Sequence, residues 1–328
     1  MNRWLILGVL MAAAALAGCQ SASHRVAWAI ALHGGAGTID PDTPKDVADA
    51  YRASLARALE EGRSRLARGE SALDTVEAVV RILEDDPLFN AGRGATLTEE
   101  GRAELDACIM DGSTRRCGAV GGVTIARNPI SLARLVMERT EHVLLVADGA
   151  DQFARRMGIP LVENDYFITP RRKEALEKLL RERGVGLAAE PAQRVGTVGC
   201  VALDMHGRLA AATSTGGRTG KMHGRIGDSP IPGAGNYADA TAAVSGTGTG
   251  EEFIRHAVAR SIPARMQLIG ESLHQAADHL VHRTLKPGDG GVIAVDAQGN
   301  IAMPFSTVGM YRAAADSTGR FEVRIWKD

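Results

Sequence analysis

Strand-like and helix-like runs come in groups along this 328-residue chain, with few single alternations. That grouping predicts an α+β fold of layered sheets faced by helices, rather than a doubly wound dinucleotide fold. An internal echo supports the layering. Val201-Ala202-Leu203-Asp204-Met205-His206-Gly207-Arg208-Leu209-Ala210 is matched by Ile293-Ala294-Val295-Asp296-Ala297-Gln298-Gly299-Asn300-Ile301-Ala302. Both read as strand, tight turn, strand, with Asp and Gly in equivalent turn positions. No shorter period repeats, so these are two similar hairpins and not a solenoid.

The elements follow in order. Arg25 to Leu32 reads as a buried strand, broken by His33-Gly34-Gly35-Ala36-Gly37, a glycine turn suited to a ligand-facing loop. Asp46 to Ala67 has helical spacing, and Ser71-Ala72-Leu73-Asp74 caps a second helix running to about Glu84. A glycine-rich loop, Asp85 to Gly94, comes next. Ala103 to Met110 and Gly118 to Ala126 read as strands, Pro129 to Arg139 and Gln152 to Met157 as helices, with a strand at His142 to Ala147 between them. Glu174 to Arg183 is helical and heavily charged. Residues 184–196 have no steady period and read as an exposed linker. Between the two hairpins lie helices from Glu251 to about Ala259 and from Leu273 to His282.

Composition sets outer bounds. Hydrophobic residues at 45% and charged residues at 23% suit a globular protein with a substantial core. A net charge of -1 calls for no nucleic acid or other large polyanion as partner, and leaves a small polar substrate open. The first residues differ from the rest. Asn2-Arg3 precedes an apolar run from Trp4 to Leu16, too short to span a bilayer comfortably, followed by Leu16-Ala17-Gly18-Cys19. This resembles a bacterial lipoprotein signal (1–18) that leaves a lipidated Cys19 and a short tether (19–24). The alternative is an ordinary secretory signal. Because residue 20 is Gln and not Asp, the lipoprotein resemblance implies a periplasmic, outer-membrane anchor. Cys108 and Cys117 could pair or remain free thiols, and no His/Cys cluster at zinc spacing appears.

The chemistry gathers around Gly196-Thr197. A threonine hydroxyl is a poor nucleophile until a base takes its proton, and one such base is the residue's own α-amine, with a reference pKa of about 8. That solution needs a cut before Thr197. The pair Gly-Thr is common and means little alone, but the downstream segments add to it. Thr215, in Thr213-Ser214-Thr215-Gly216-Gly217, could orient and polarise Thr197. Arg225 and Asp228, three apart in a compact loop, could clamp a zwitterion or simply pair with each other. Gly246-Thr247-Gly248-Thr249-Gly250-Glu251 offers the Thr247 hydroxyl and the Gly248 N–H as an oxyanion hole, and it fails the P-loop pattern.

From Arg25 to about Arg312 the sequence resembles the plant-type asparaginase/isoaspartyl peptidase family of N-terminal nucleophile hydrolases. The resemblance is carried by His33 to Gly37, Phe89-Asn90-Ala91-Gly92, Leu105 to Gly112, Gly196 to Gly199, Ala212 to Gly217, Gly224 to Pro230, Gly246 to Glu251 and Gly309-Met310-Tyr311-Arg312. It implies a four-layer αββα sandwich, one domain cut into an α part (25–196) and a β part (197–328), assembled as a dimer of αβ units. It implies hydrolysis of β-aspartyl peptides and L-asparagine, with no cofactor for catalysis. By the same resemblance Thr197 is the nucleophile, Thr215 its assistant, Asn90 its neighbour, and Thr247 with Gly248 the oxyanion hole. Arg225, Asp228, Gly248 and Gly250 bind substrate. A structural sodium ion is implied at backbone oxygens of Leu83, Glu84, Asp86, Phe89, Ala91 and Arg93. Two alternatives stand beside this reading. His223-Gly224-Arg225 and Ile231 to Gly235 read closer to glycosylasparaginases, and an uncut protein could keep the fold for binding, although every catalytic position is filled.

Overall fold

The computed structural model describes residues 26–184 and 196–327. The expected signal, the tether with Cys19, and linker residues 185–195 lie outside the described residues. Among the described residues no helix is long and apolar enough to cross a membrane.

The strands, in chain order, are β1 (Ala29–Gly37), β2 (Leu105–Asp111), β3 (Cys117–Val123), β4 (Leu144–Val146), β5 (Val198–Leu203) and β6 (Leu209–Thr215). They continue as β7 (Asn236–Ala238), β8 (Ala242–Gly248), β9 (Gly290–Asp296), β10 (Ile301–Ala302), β11 (Gly309–Asp316) and β12 (Phe321–Trp326). One sheet has eight strands in the order β12-β11-β1-β5-β6-β2-β3-β4, and the other has four in the order β10-β9-β8-β7. The pairing of β3 with β4 is parallel. The two sheets face each other, with β1, β5 and β6 against β8 and β9.

Helices cover both outer faces. Helices α1 (Lys45–Ala67), α2 (Ala72–Asp85) and α3 (Pro129–Arg139) pack on the large sheet, joined at its β3–β4 edge by α4 (Ala147–Met157). A charged helix, α5 (Pro170–Gly184), closes the described part of the first segment. Beyond α6 (Gly250–His256), helices α7 (Val258–Ile269) and α8 (Leu273–His279) cover the small sheet. The result is the four-layer αββα sandwich, and it has three cores. Successive strand residues point to opposite faces, so each buried strand must serve two of those cores at once. In β5, Val198, Cys200 and Ala202 enter the core beneath the helices, while Val201 and Leu203 enter the layer between the sheets. In β6, Ala210 and Ala212 face the helices, whereas Leu209 and Ala211 face the other sheet. The inter-sheet layer is rich in small residues, including Ala29, Ala31, Ala211, Ala243 and Ala314, so the sheets interdigitate closely.

The hairpin echo is realised atom by atom. Asp204 Oδ1 accepts from the backbone N–H of His206 and Arg208, and Asp296 Oδ1 accepts from that of Gln298 and Asn300. Gly207 and Gly299 take the positive φ that each turn requires, +74° and +83°. A third copy follows β11, where Asp316 Oδ1 accepts from the backbone N–H of Thr318 and Arg320. Ser71 accepts from Asp74 N–H at 3.1 Å, the cap read from sequence, a contact that contributes about 1 kcal/mol.

Three expectations need correction. The glycines at 34, 35 and 37 do not end β1; the strand runs through to Gly37 with a register shift between His33 and Gly35. Strand β11 supplies partners through Gly37, while β5 pairs only as far as His33, and that tertiary pairing overrides glycine's poor strand propensity. The helix expected over Glu251 to Ala259 is split at Ala257, whose φ of +45° ends α6 and starts α7. Helix α4 begins at Ala147, five residues earlier than its spacing indicates. Cys108, Cys117 and Cys200 are free thiols, Cys117 half-buried and the others buried.

Close packing between the sheets leads to a test. Ala31 is fully buried in that layer, and Ala31→Val should cost about 1–3 kcal/mol by overpacking, read from urea unfolding. An unchanged midpoint would show spare room between the sheets.

Candidate active site

The face that carries alanine and leucine through the middle of the inter-sheet layer turns polar at one end. On β6 the series Leu209, Ala211 continues to Thr213 and Thr215; on β1 it continues from Ala29 and Ala31 to His33. On β8, Ala243 is followed on the same face by Ser245 and Thr247. Period-two alternation therefore brings these side chains to one place, where Thr197 enters just before β5.

Thr197 is buried, and its hydroxyl donates to Thr215 Oγ1 at 3.2 Å. Thr215 Oγ1 also accepts from Gly217 N–H at 3.0 Å, which holds it in place. The preceding residue has almost no room. A Cβ on Gly196 would lie 2.1 Å from Asn90 Cβ, and a Cβ on Gly35 would lie 2.6 Å from Gly196 Cα. Gly196 is thus wedged between β1 and Asn90 with a φ of +150°. Asn90 is itself rigid: Oδ1 accepts from Thr96 N–H at 2.7 Å, Nδ2 donates to Gly217 O at 2.8 Å, and its carbonyl accepts from Gly216 N–H.

Thr247 Oγ1 accepts from Ala36 N–H at 3.1 Å, which leaves its own proton available for another acceptor. A Cβ on Gly248 would collide with Asp289 O at 1.9 Å, so only glycine lets that backbone approach β9.

Arg225 and Asp228 do not pair with each other. Arg225 Nε and Nη2 bond to Glu251 Oε1 at 3.2 and 3.0 Å. Asp228 is buried, and its Oδ2 has no hydrogen-bond partner. Burial drives its carboxyl up to about 7, against the opposing effects of its own backbone N–H and of Arg225. Gly250 separates the two groups: a Cβ there would lie 2.8 Å from both Arg225 Nη2 and Asp228 Oδ1. The outcome is a cation and a carboxyl with one unpartnered oxygen on either side of a bare backbone position.

The profile of the asparaginase family matches residues 26–325, nearly all of the described chain. The chain belongs to this family. It is 45% identical over 323 residues to the probable isoaspartyl peptidase/L-asparaginase 2 of Arabidopsis thaliana, which covers 92% of this chain and 99% of that protein. It is 49% identical over 296 residues to the isoaspartyl peptidase of Salmonella typhimurium, covering 87% of this chain and 94% of that protein. The isoaspartyl peptidase of Escherichia coli is 48% identical over 293 residues, covering 87% and 91%.

In this asparaginase-family chain the loop from Leu83 to Arg93 folds back sharply beside Asn90. Arg93 N–H bonds to Glu84 O at 2.7 Å and Phe89 N–H to Asp86 O at 3.3 Å. A Cβ on Gly94 would lie 2.6 Å from Pro87 O and 2.8 Å from Phe89 O, and one on Gly92 would lie 2.4 Å from Glu84 O. The carbonyl oxygens of Glu84, Pro87 and Phe89 thus lie close against Gly92 and Gly94, and neutral oxygens are the donor type that a monovalent cation takes. The Glu84 side chain points elsewhere, accepting from Ser214 Oγ at 2.7 Å and Ile130 N–H at 3.0 Å. Burial raises its carboxyl to about 8. Among the described residues no group of three or more His, Cys, Asp or Glu could hold a metal.

Two site residues were not singled out from sequence. His33, read only as part of a glycine turn, contacts the Thr197 carbonyl through Nδ1 at 3.0 Å. Glu251, read as the end of a glycine-threonine run, is the ionic partner of Arg225. The strand period before His33 could have placed it on the inter-sheet face; nothing local in the sequence points to the Glu251 contact.

The Asp228 carboxyl should titrate near pH 7 in a carbon-13 NMR experiment. Arg225→Met removes a neighbouring positive charge and should move that midpoint further up. A midpoint in the ordinary carboxylate range would show that Asp228 is solvated.

Proposed function

We propose that this protein is an autocleaving amidohydrolase that hydrolyses β-aspartyl peptides and L-asparagine through an N-terminal threonine. The observation that carries the reading is the wedging of Gly196 between Gly35 and Asn90, with the Thr197 hydroxyl already bonded to Thr215. The names of the relatives, isoaspartyl peptidase and L-asparaginase, support the substrate class.

The first reaction makes the catalyst. Thr197 Oγ attacks the Gly196 carbonyl carbon and passes its proton to the departing Thr197 nitrogen. Water then hydrolyses the ester, leaving a Gly196 carboxylate and a free Thr197 amine. In the second reaction the neutral amine takes the hydroxyl proton while Oγ attacks the side-chain amide carbon of the substrate. Thr247 Oγ–H and Gly248 N–H stabilise the oxyanion, whose charge develops where preorganised donors already point. The amine or ammonia leaves with a proton, and water frees aspartate from the ester. Arg225 holds the substrate's α-carboxylate and Asp228 its α-ammonium, with Gly250 keeping the space between them open. A bound ammonium favours ionised Asp228, which burial otherwise opposes.

The same reading extends to three further points. The loop from Leu83 to Arg93 holds a sodium ion and so buttresses Asn90. The cleaved units associate as αβ dimers. Cys19 carries a lipid anchor on the periplasmic side of the outer membrane, on the strength of the run from Trp4 to Cys19.

Intact mass and turnover test the central claim. The wild-type protein from a bacterial membrane fraction should yield one species starting at Thr197 and one bearing acyl mass on Cys19. Thr197→Ala should remain a single uncut chain without activity on a β-aspartyl dipeptide. Cleavage or turnover by that variant would refute the nucleophile. For the ion, replacing sodium chloride by choline chloride at equal ionic strength should lower the melting temperature by a few degrees, as loss of a ligand specific to the folded state must. Equal melting temperatures would remove the ion from the account.

A further inference from the structure

Behind Thr197 runs a line of buried polar groups that the mechanism does not use. His33 Nδ1 lies 3.0 Å from the Thr197 carbonyl oxygen, and its Nε2 lies 2.9 Å from Ser245 Oγ. Ser245 Oγ lies 2.7 Å from Thr213 Oγ1, which lies 3.0 Å from one end of the Asn236 side-chain amide. The other end of that amide lies 3.3 Å from Cys108 Sγ. The five side chains come from β1, β8, β6, β7 and β2, and all five are fully buried.

Each link can hold only one proton, so the direction of the chain can be solved from its ends. A carbonyl oxygen only accepts, so His33 Nδ1 must carry hydrogen. The ring is fully buried with no carboxylate beside it, and burial pulls its pKa down to about 3, so it is neutral. Nε2 must then accept, and Ser245 donates to it. Having used its proton, Ser245 accepts from Thr213, and Thr213 in turn accepts from Asn236. Only the amide nitrogen can donate there. Its oxygen therefore faces Cys108, whose thiol burial keeps protonated and able to donate. This reverses the two ends of the amide relative to the placement with Oδ1 toward Thr213, an exchange that leaves the shape unchanged. The opposite direction would set two acceptors, Nδ1 and the Thr197 carbonyl, face to face at 3.0 Å.

We propose that this one-way chain, Cys108 to Asn236 to Thr213 to Ser245 to His33, makes His33 a positioning residue for Thr197. Its Nδ1–H holds the Thr197 carbonyl and thereby fixes rotation about the bond between Cα and the carbonyl carbon. The need arises because cleavage frees Thr197 from Gly196, and a chain terminus without a tether frays. Held at its carbonyl, the new terminus keeps amine and hydroxyl aimed at the substrate. The inference rests on Thr197 being the nucleophile.

Nitrogen-15 NMR of the cleaved protein reads the His33 tautomer directly. Hydrogen on Nδ1 is expected; hydrogen on Nε2 overturns the proposal. Kinetics supply the second arm. His33→Leu and His33→Asn lose similar packing, but the asparagine amide can still donate at the place of Nδ1. In chains shown by mass to be cut, His33→Leu should lower kcat by roughly 10- to 100-fold with little change in KM, the scale of a misplaced reacting group. His33→Asn should recover most of that loss. Equal losses in both variants, or none in His33→Leu, would return His33 to a packing role. Where neither variant is cut, the wild-type tautomer alone decides. Activity in Thr197→Ala would sink the nucleophile reading separately, without altering the tautomer result.

Discussion

The structure depends on two sheets meeting face to face, so that a single apolar layer is shared by strands distant in sequence. Every strand in that interface has to satisfy two cores with alternate residues, one under its helices and one against the other sheet. Small side chains in the shared layer allow close approach, which maximises dispersion contacts and excludes water. Where the same faces turn from alanine to threonine, serine and histidine, exclusion of water becomes a chemical resource. Hydrogen bonds there are stronger, and an unpaired polar atom is correspondingly costly.

This explains why the candidate site is both buried and rigid. Thr197, Thr215 and Thr247 come from β5, β6 and β8 or their immediate ends, and each has a neighbour that sets its rotamer. Glycine serves two distinct purposes. At Gly196 and Gly35 it allows two backbones to touch at the proposed cut, and at Gly250 it leaves space between a guanidinium and a carboxyl. A side chain at Gly35 would meet the Gly196 backbone, and one at Gly196 the Cβ of the hydrogen-bonded Asn90, neither with room to retreat. Asp228 shows the cost of such a site, because burial with one oxygen unpaired is unfavourable until something cationic arrives.

The outer helix layer is tied to the same chemistry through one contact. Ser214, which points away from the other sheet, donates to Glu84 on α2, and Glu84 also receives the N-terminal N–H of Ile130 on α3. The strand that carries Thr215 is therefore anchored on both faces, and the loop that carries Asn90 begins where that anchor ends.

Sequence alone determined the local grammar of this protein. The Ser71 cap, the Asp204 and Asp296 turns, the grouping of strands and helices, and the family to which the motifs belong were all readable, because each depends on a few consecutive residues. Most proposed site residues were readable for the same reason: Thr197, Thr215, Arg225, Asp228, Thr247 and Gly248 lie in short glycine-marked segments. Tertiary structure decided the rest. Continuation of β1 through its glycines needed β11 beside it, and the break at Ala257 needed the loop from Gly233 to Ala234 that receives the N–H groups of Arg260 and Ala259. Periodicity indicates which residues of a strand share a face, but not which other face they will meet. The contact of His33 with Thr197, separated by 164 residues, exists only once β1 and β5 have paired, and the pairing of Arg225 with Glu251, separated by 26, only once the loop after β6 meets the start of α6.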